Sequence, residues 1–287
     1  MFRPGLNCIA ALLMLFAVSC KKVKLDRELG RISAGKITEK EDQLFLHGNE
    51  RTVILHQSSC KIESGGIQIT LPDEVLKDAD GVWHLPKRSV AYLEGLFSPE
   101  KLHVRRIVID PGHGGSDPGA VSITQKAEEK DLNLDLALKL GSALQQYGVE
   151  VVYTRDDDST VALGARGKKF KADLFISIHH NASENISASG AETYCLLSDN
   201  AADKSKIISA LKIACEMQKA QSHAFGNYGR GVKFANFKVL RDSDCPAILF
   251  ETGFLSNPDD EKKCLAPQWR QIMAESLAKG IIRAVSL

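Results

Sequence analysis

The chain has 287 residues, and its 37 Lys and Arg against 36 Asp and Glu leave a formal net charge of +1. With 25% charged and 44% hydrophobic residues it is an ordinary globular composition, long enough for one well-buried α/β domain and a smaller appendage. Such a balance supplies no concentrated basic surface, so there is no reason to expect nucleic acid as a partner.

Arg3 gives the N-terminus a short positive start, and Leu6 to Val18 is an almost unbroken apolar run. The run falls short of the roughly 20 apolar residues that a spanning helix needs, and suits a secretory signal instead. It ends in Ala17-Val18-Ser19-Cys20, which resembles a bacterial lipobox with Ala17 where Leu is usual. The expectation is a lipoprotein-type signal over 1–20, an exported chain and a membrane anchor through a lipid on Cys20. Lys21 is not an inner-membrane retention signal, so in a two-membrane cell the anchor would sit in the outer membrane, with the protein in the periplasm. Apart from Cys8 and Cys20, Cys60, Cys195, Cys215, Cys245 and Cys264 remain. An odd set without a C-x-x-C pair argues against a disulfide framework and against a thiolate zinc site, and leaves a single disulfide open.

Residues 21–45 are dense in charge, from Lys21, Lys22 and Lys24 to Glu41 and Asp42, and read as a tether. Over 46–99 short β-like segments, Thr52 to His56, Ile67 to Leu71 and Val82 to Pro86, alternate with turn signals and predict a small β-rich domain. It resembles the short β domain named for the N-terminal region of copper amine oxidases, which serves envelope proteins as a stalk or wall-binding module. His56 and His84 have no further ligands nearby and read as strand-surface residues.

From 104 to 287 apolar strands alternate with long helical segments, the pattern of a mainly parallel, twisted α/β sheet of about six strands with helices on both faces. Strands are predicted at 105–110, 149–154, 173–178, 190–196, 237–241 and 246–251, and helices at 129–147, 202–222 and 267–285.

Three apolar runs end abruptly in ionisable residues. Ile107 to Ile109 leads into Asp110-Pro-Gly-His113-Gly-Gly115, Leu174 to Ile178 into His179-His180-Asn181, and Ile248 to Phe250 into Glu251. In a parallel sheet the carboxyl ends of such strands share the rim where open α/β folds bind ligands. A catalytic zinc commonly takes three His and carboxylate ligands and keeps a fourth position for water. His113, His179 and Glu129, at the start of the first long helix, supply such a set, leaving Glu251 as an unbound base. Each has a plainer alternative. His113 could be a residue of a Gly-rich turn, and Glu128 and Glu129 could merely complement a helix dipole. His179 and His180 could be a satisfied pair, and Glu251 could be an ion-pair partner of Arg230 or Arg155. Convergence at the ends of one sheet favours a single site over four accidents. The Gly-rich loop does not fit a phosphate-binding pattern, because no Lys-Ser or Lys-Thr follows it.

Asp110 to Ala120, Glu129-Lys-Asp-Leu-Asn-Leu134, Tyr153-Thr-Arg155, Phe175-Ile-Ser-Ile-His179, Arg230-Gly-Val-Lys233 and Pro246 to Asn257 together resemble the zinc-dependent N-acetylmuramoyl-L-alanine amidases. The resemblance runs through nearly all of 104–285. It implies zinc on His113, Glu129 and His179, choosing Glu129 over Glu128 and His179 over His180, with Glu251 as the catalytic glutamate. It also implies peptidoglycan as substrate, cut between N-acetylmuramic acid and the L-alanine of the stem peptide. Arg155, Asn181 and Arg230 are then the candidate substrate contacts, and a monomer is expected. Two features depart from the pattern. The segment from Arg166 to Asp173 is shortened, which leaves Arg166 without a role. No inserted helix is read between Gly190 and Glu251, which implies a site open without an activator. Rival readings are a zinc peptidase acting within the stem peptide, a silent wall-binding protein and a periplasmic metal carrier.

Overall fold

The computed structural model describes residues 24–26, 29–32, 35–48, 51–168, 170–226 and 228–287. The expected signal segment and the lipidated Cys20 lie outside the described residues.

The N-terminal part comprises β1 (Lys24–Leu25), β2 (Lys36–Lys40), β3 (Gln43–His47), β4 (Thr52–His56), β5 (Ser59–Ser64), β6 (Ile67–Lys77), β7 (Val82–His84) and helix α1 (Lys87–Phe97). Strands β2 to β6 form an antiparallel meander. Leu44 and Leu46 of β3, and Val53 and Leu55 of β4, alternate into a core while their neighbours face outward, the period-2 pattern of a half-buried sheet. This corrects the tether reading of 21–45 for the part described. Lys36 to Lys40 pair with Gln43 to His47, and Leu29, Ile32 and Leu44 are buried. The charges of this segment decorate an edge strand, where they discourage pairing with another chain. Helix α1 was hidden among the strand signals. Its Val90, Leu93 and Leu96 repeat every third residue along the buried face.

The second part contains β8 (Leu102–His103), β9 (Arg106–Pro111), α2 (Glu129–Gln145), β10 (Glu150–Tyr153), α3 (Leu163–Arg166), β11 (Leu174–Asn181), β12 (Ala191–Leu196), α4 (Lys204–Phe225), β13 (Gly229–Ala235), α5 (Lys238–Arg241), β14 (Ala247–Phe254), α6 (Pro258–Leu265), α7 (Pro267–Ala284) and β15 (Val285–Ser286). The sheet order is β10-β9-β11-β14-β12-β13, parallel except where β12 runs antiparallel to β14. Helices α2, α4 and α7 pack together and flank it, so the architecture is the expected mixed α/β sheet.

One predicted strand is misplaced. Residues 237–241 contain the short helix α5, and the strand is β13, where Val232 is buried and Phe234 packs against the core. The apolar residues of 237–241 are too few and too closely followed by Arg241 and Asp242 to fill a central strand. Helix α6, also unpredicted, begins where the Asn257 side chain accepts from the N–H groups of Asp259 and Asp260, with Pro258 in the first turn.

The two parts share one sheet. Strand β6 lies parallel to β13, with Ile69 opposite Val232. The approach is close enough that a Cβ on Gly231, which has φ +79°, would stand 2.0 Å from the Gln68 carbonyl oxygen. Tyr92 of α1 stacks on Phe234 with ring centroids 4.7 Å apart, and Arg88 bridges Asp73 and Asp199. Lys212 of α4 donates to the carbonyls of Ser98 and Glu100.

Among the described residues no helix is long and apolar enough to cross a membrane. Cys60, Cys195, Cys215, Cys245 and Cys264 are all free thiols.

Candidate metal centre

Strands β9, β11 and β14 are neighbours and parallel, so their carboxyl ends deliver His113, His179 and Glu251 to one rim. The loop after β9 turns sharply there. His113 adopts φ +60°, a left-handed conformation that costs a non-glycine residue about 1 kcal/mol or more. Gly112 before it must lack a side chain, because a Cβ would stand 2.2 Å from Cε1 of His179.

Helix α2 begins with Glu129, whose side chain is buried and points at both imidazoles. His113 Nε2 is 3.2 Å from Glu129 Oε2, and His179 Nδ1 is 3.0 Å from Oε1. The two rings meet edge to face, 5.0 Å between centroids. One ligand atom from each of His113, Glu129 and His179 falls within 4.8 Å of the others. This donor set of two imidazoles and a carboxylate fits a divalent metal ion with a position left for water.

The carboxylate is also held from behind. Ala120 N donates to Oε2 at 2.8 Å, and Oε1 accepts from His180 N and Asn133 Nδ2, each at 3.1 Å. Burial alone would raise the Glu129 pKa, but the hydrogen bonds from the two imidazoles outweigh it and hold the carboxyl well below the usual range. The hydrogen bond to Glu129 raises the His113 pKa to about 9. His179 is raised despite its burial, through the Glu129 hydrogen bond and the nearby Glu251 charge. A metal ion would have to displace those protons.

Glu251 lies level with His179 on the adjacent strand. Its Oε2 is buried without a hydrogen-bond partner, and burial, reinforced by the charges of Glu129 and Glu192, raises its pKa to about 7. The ion-pair alternative for Glu251 fails on the partners it needed. Arg230 pairs with Glu192, and Arg155 spends its donors on the carbonyls of Pro111, Gly112, Lys130 and Asp157.

That arrangement also corrects the expectation for Arg155, which is 3% exposed and clamps the loop before His113 from below. Arg166 is its companion, donating to Asp110 Oδ1 and Pro111 O at 2.8 Å and to His113 O at 2.7 Å. Asn181 and Arg230 do reach the rim, where both donate to Glu192.

The rejected neighbours sit elsewhere. Glu128 is a half-buried partner of Lys130, and His180 points to Asn133 on the opposite side of β11 from His179, its pKa lowered by burial to about 3. His84 lies between Asp26 and Asp78, and His56 contacts Gln43 and Glu63. Sequence reasoning missed Glu192 and Asn133, and weighed His180 only beside His179. Glu192 is 2% exposed and accepts from Tyr194, Lys233, Arg230 and Asn181, a network that no local spacing announces.

Comparison with known proteins agrees with this architecture. A family model described as N-acetylmuramoyl-L-alanine amidase matches residues 107–283. A probable cell wall amidase LytH of Staphylococcus epidermidis is 36% identical over 186 residues, which are 64% of this chain and 60% of that protein. The chain thus spans about 60% of the length of the curated relatives it matches. The crystal structure of an N-acetylmuramoyl-L-alanine amidase from Clostridium difficile 630 matches with a TM-score of 0.57 and 35% identity, over 64% of this chain and 97% of that one. The catalytic domain of CwlV from Bacillus (Paenibacillus) polymyxa var. colistinus matches with a TM-score of 0.54 and 38% identity, over 62% and 97%. With a family match that begins in β9, ends in α7 and encloses every residue of the cluster, the chain belongs to the N-acetylmuramoyl-L-alanine amidase family.

Proposed function

We propose that the protein is a zinc-dependent hydrolase of bacterial peptidoglycan, cutting the amide bond between N-acetylmuramic acid and the L-alanine of the stem peptide. The observation that carries this is the meeting of His113, Glu129 and His179 within 4.8 Å, with Glu251 level with His179 on the next strand. Family membership and relatives named as amidases support the reading.

His113, Glu129 and His179 would hold the ion. Zinc there would supply activation of a water molecule and polarisation of the scissile carbonyl. Glu251 takes the proton from the attacking water and returns it to the departing L-alanine nitrogen. Without an ion, burial raises this carboxyl to about 7, and a nearby cation would favour the ionised form that accepts the proton. Asn181 and Arg230, gathered on Glu192 beside the base, face the arriving substrate. The enzyme works as a monomer in the cell envelope, held at the periplasmic face of a membrane by the lipid on Cys20. The apolar run ending in Ala17-Val18-Ser19-Cys20 supports the anchor.

The test is a digest of purified peptidoglycan read by mass spectrometry. Peptides beginning with free L-alanine, and glycan strands stripped of peptide, are expected. Cuts confined to the stem peptide would turn the assignment to a zinc peptidase, and an undigested wall would make the protein a binding module. Replacing Cys20 with Ser should move the protein from the membrane to the soluble fraction.

A further inference from the structure

The three ligand-bearing segments are the loop at Gly112-His113, the start of α2 at Glu129 and the end of β11 at His179. They come from distant parts of the chain, and one amide lies between them. Asn133 stands one helical turn after Glu129, on the same face of α2, and is fully buried. Its Nδ2 donates to Glu129 Oε1 at 3.1 Å and to the Gly112 carbonyl at 3.3 Å. Both of those partners are acceptors only, so the amide orientation is settled and Oδ1 must face the remaining neighbour. That neighbour is Nδ1 of His180, at 2.8 Å. An amide oxygen can only accept, so His180 donates from Nδ1, and its buried Nε2, which has no partner, carries no hydrogen.

From this chain of directed bonds we infer that Asn133 and His180 are positioning residues. His180 orients Asn133, and Asn133 fixes the carboxylate of Glu129 while tying the Gly112-His113 loop to α2. A single side chain thereby sets the relative places of all three ligands before an ion arrives. Both side chains are buried, Asn133 0% and His180 1% exposed. The inference rests on the reading of His113, Glu129 and His179 as the metal ligands.

Lost support of this kind weakens metal binding roughly 10- to 100-fold. The experiment measures zinc affinity by competition with a chromophoric chelator, on variants whose folding is checked by circular dichroism. Asn133→Ala and His180→Leu should each bind zinc at least about tenfold more weakly. His180→Asn, whose amide nitrogen falls near the Nδ1 position, should stay within about threefold of the parent. The double variant Asn133→Ala/His180→Leu should be no worse than Asn133→Ala alone, since members of one relay are not additive. If Asn133→Ala does not fold, the Leu and Asn variants at 180 decide. Parental affinity in both Asn133→Ala and His180→Leu overturns the relay, as does equal loss in His180→Asn and His180→Leu. Glu129→Gln separates the two levels of the argument. Zinc loss there with no effect at 133 and 180 sinks only the relay, whereas unchanged zinc binding in Glu129→Gln sinks the metal site itself.

Discussion

Glu251 stands directly opposite Glu192 across the antiparallel pair β12 and β14. Opposed residues share a sheet face, so two carboxylates lie side by side at the rim. Only one of them is neutralised. Glu192 gathers Arg230, Lys233, Tyr194 and Asn181, and its pKa is lowered despite burial, while Glu251 is left to be raised.

Glu251→Gln should therefore retain zinc and lose turnover by about 10²- to 10⁴-fold on purified peptidoglycan. In the parent enzyme kcat/KM should fall at acid pH as the base protonates, with a midpoint below the value of about 7 that Glu251 has without an ion, because a nearby cation favours the carboxylate. The same carboxyl affects stability in the metal-free protein. Its folded pKa lies above the ordinary value, so the neutral form is favoured on folding and stability declines as pH rises from about 4.5 through about 7. Glu251→Gln should then be more stable than the parent by roughly 1–3 kcal/mol at pH 8 and no more stable at pH 4, as read by urea titration of both.

His113→Ala and His179→Ala should each purify without zinc, as checked by elemental analysis. The imidazoles must be neutral to ligate, and His113 is protonated up to about 9 when the ion is absent. Zinc affinity should accordingly rise with pH between 6 and 9, with proton release on binding. Calorimetry in buffers of different ionisation enthalpy measures the release, and a pH-independent affinity would contradict it.

Arg166→Ala should be among the most damaging single changes outside the cluster. It leaves Asp110, fully buried, without its cation, and removes donors to Pro111 and His113. Breaking a buried pair from one side costs about 3–5 kcal/mol. Arg166→Lys should recover little, since a single ammonium cannot reproduce the planar fork. Thermal melting of the three proteins checks the order.

The N-terminal part should not melt separately. Tyr92→Ala, which removes the stack on Phe234, should lower one common unfolding transition, with a loss of roughly 3 kcal/mol. Two resolved transitions, of which only the earlier one moved, would show independent units.

The cluster of His113, Glu129 and His179 and the neighbouring Glu251 was legible in the sequence because each stands where an apolar strand ends or a helix begins, and backbone direction alone gathers such positions. Glu129 could be told from Glu128 only through the resemblance, as both occupy a helix start. Asn133 and Glu192 escaped notice, and His180 was weighed only against His179, because their roles depend on which side chains another segment brings to them. Arg155 was misread for the same reason, since a charge beside a motif says nothing about whether carbonyls will surround it. The strand at 229–235 was hidden by Gly229 and Gly231, residues that weaken a strand signal yet leave room for the α4 side chains of Gln218 and Gln221 at Gly229 and for β6 at Gly231. The edge strand β2 was mistaken for a tether because Lys36, Glu39 and Lys40 give it a charged surface, while the buried Leu29, Ile32 and Leu44 lie outside it in the flanking segments.

The seam between β6 and β13 has a mechanical result. Backbone ladders resist swivelling, so the N-terminal strands cannot act as a flexible stalk. The rim that carries His113, His179 and Glu251 is therefore held at one set angle to the N-terminal strands.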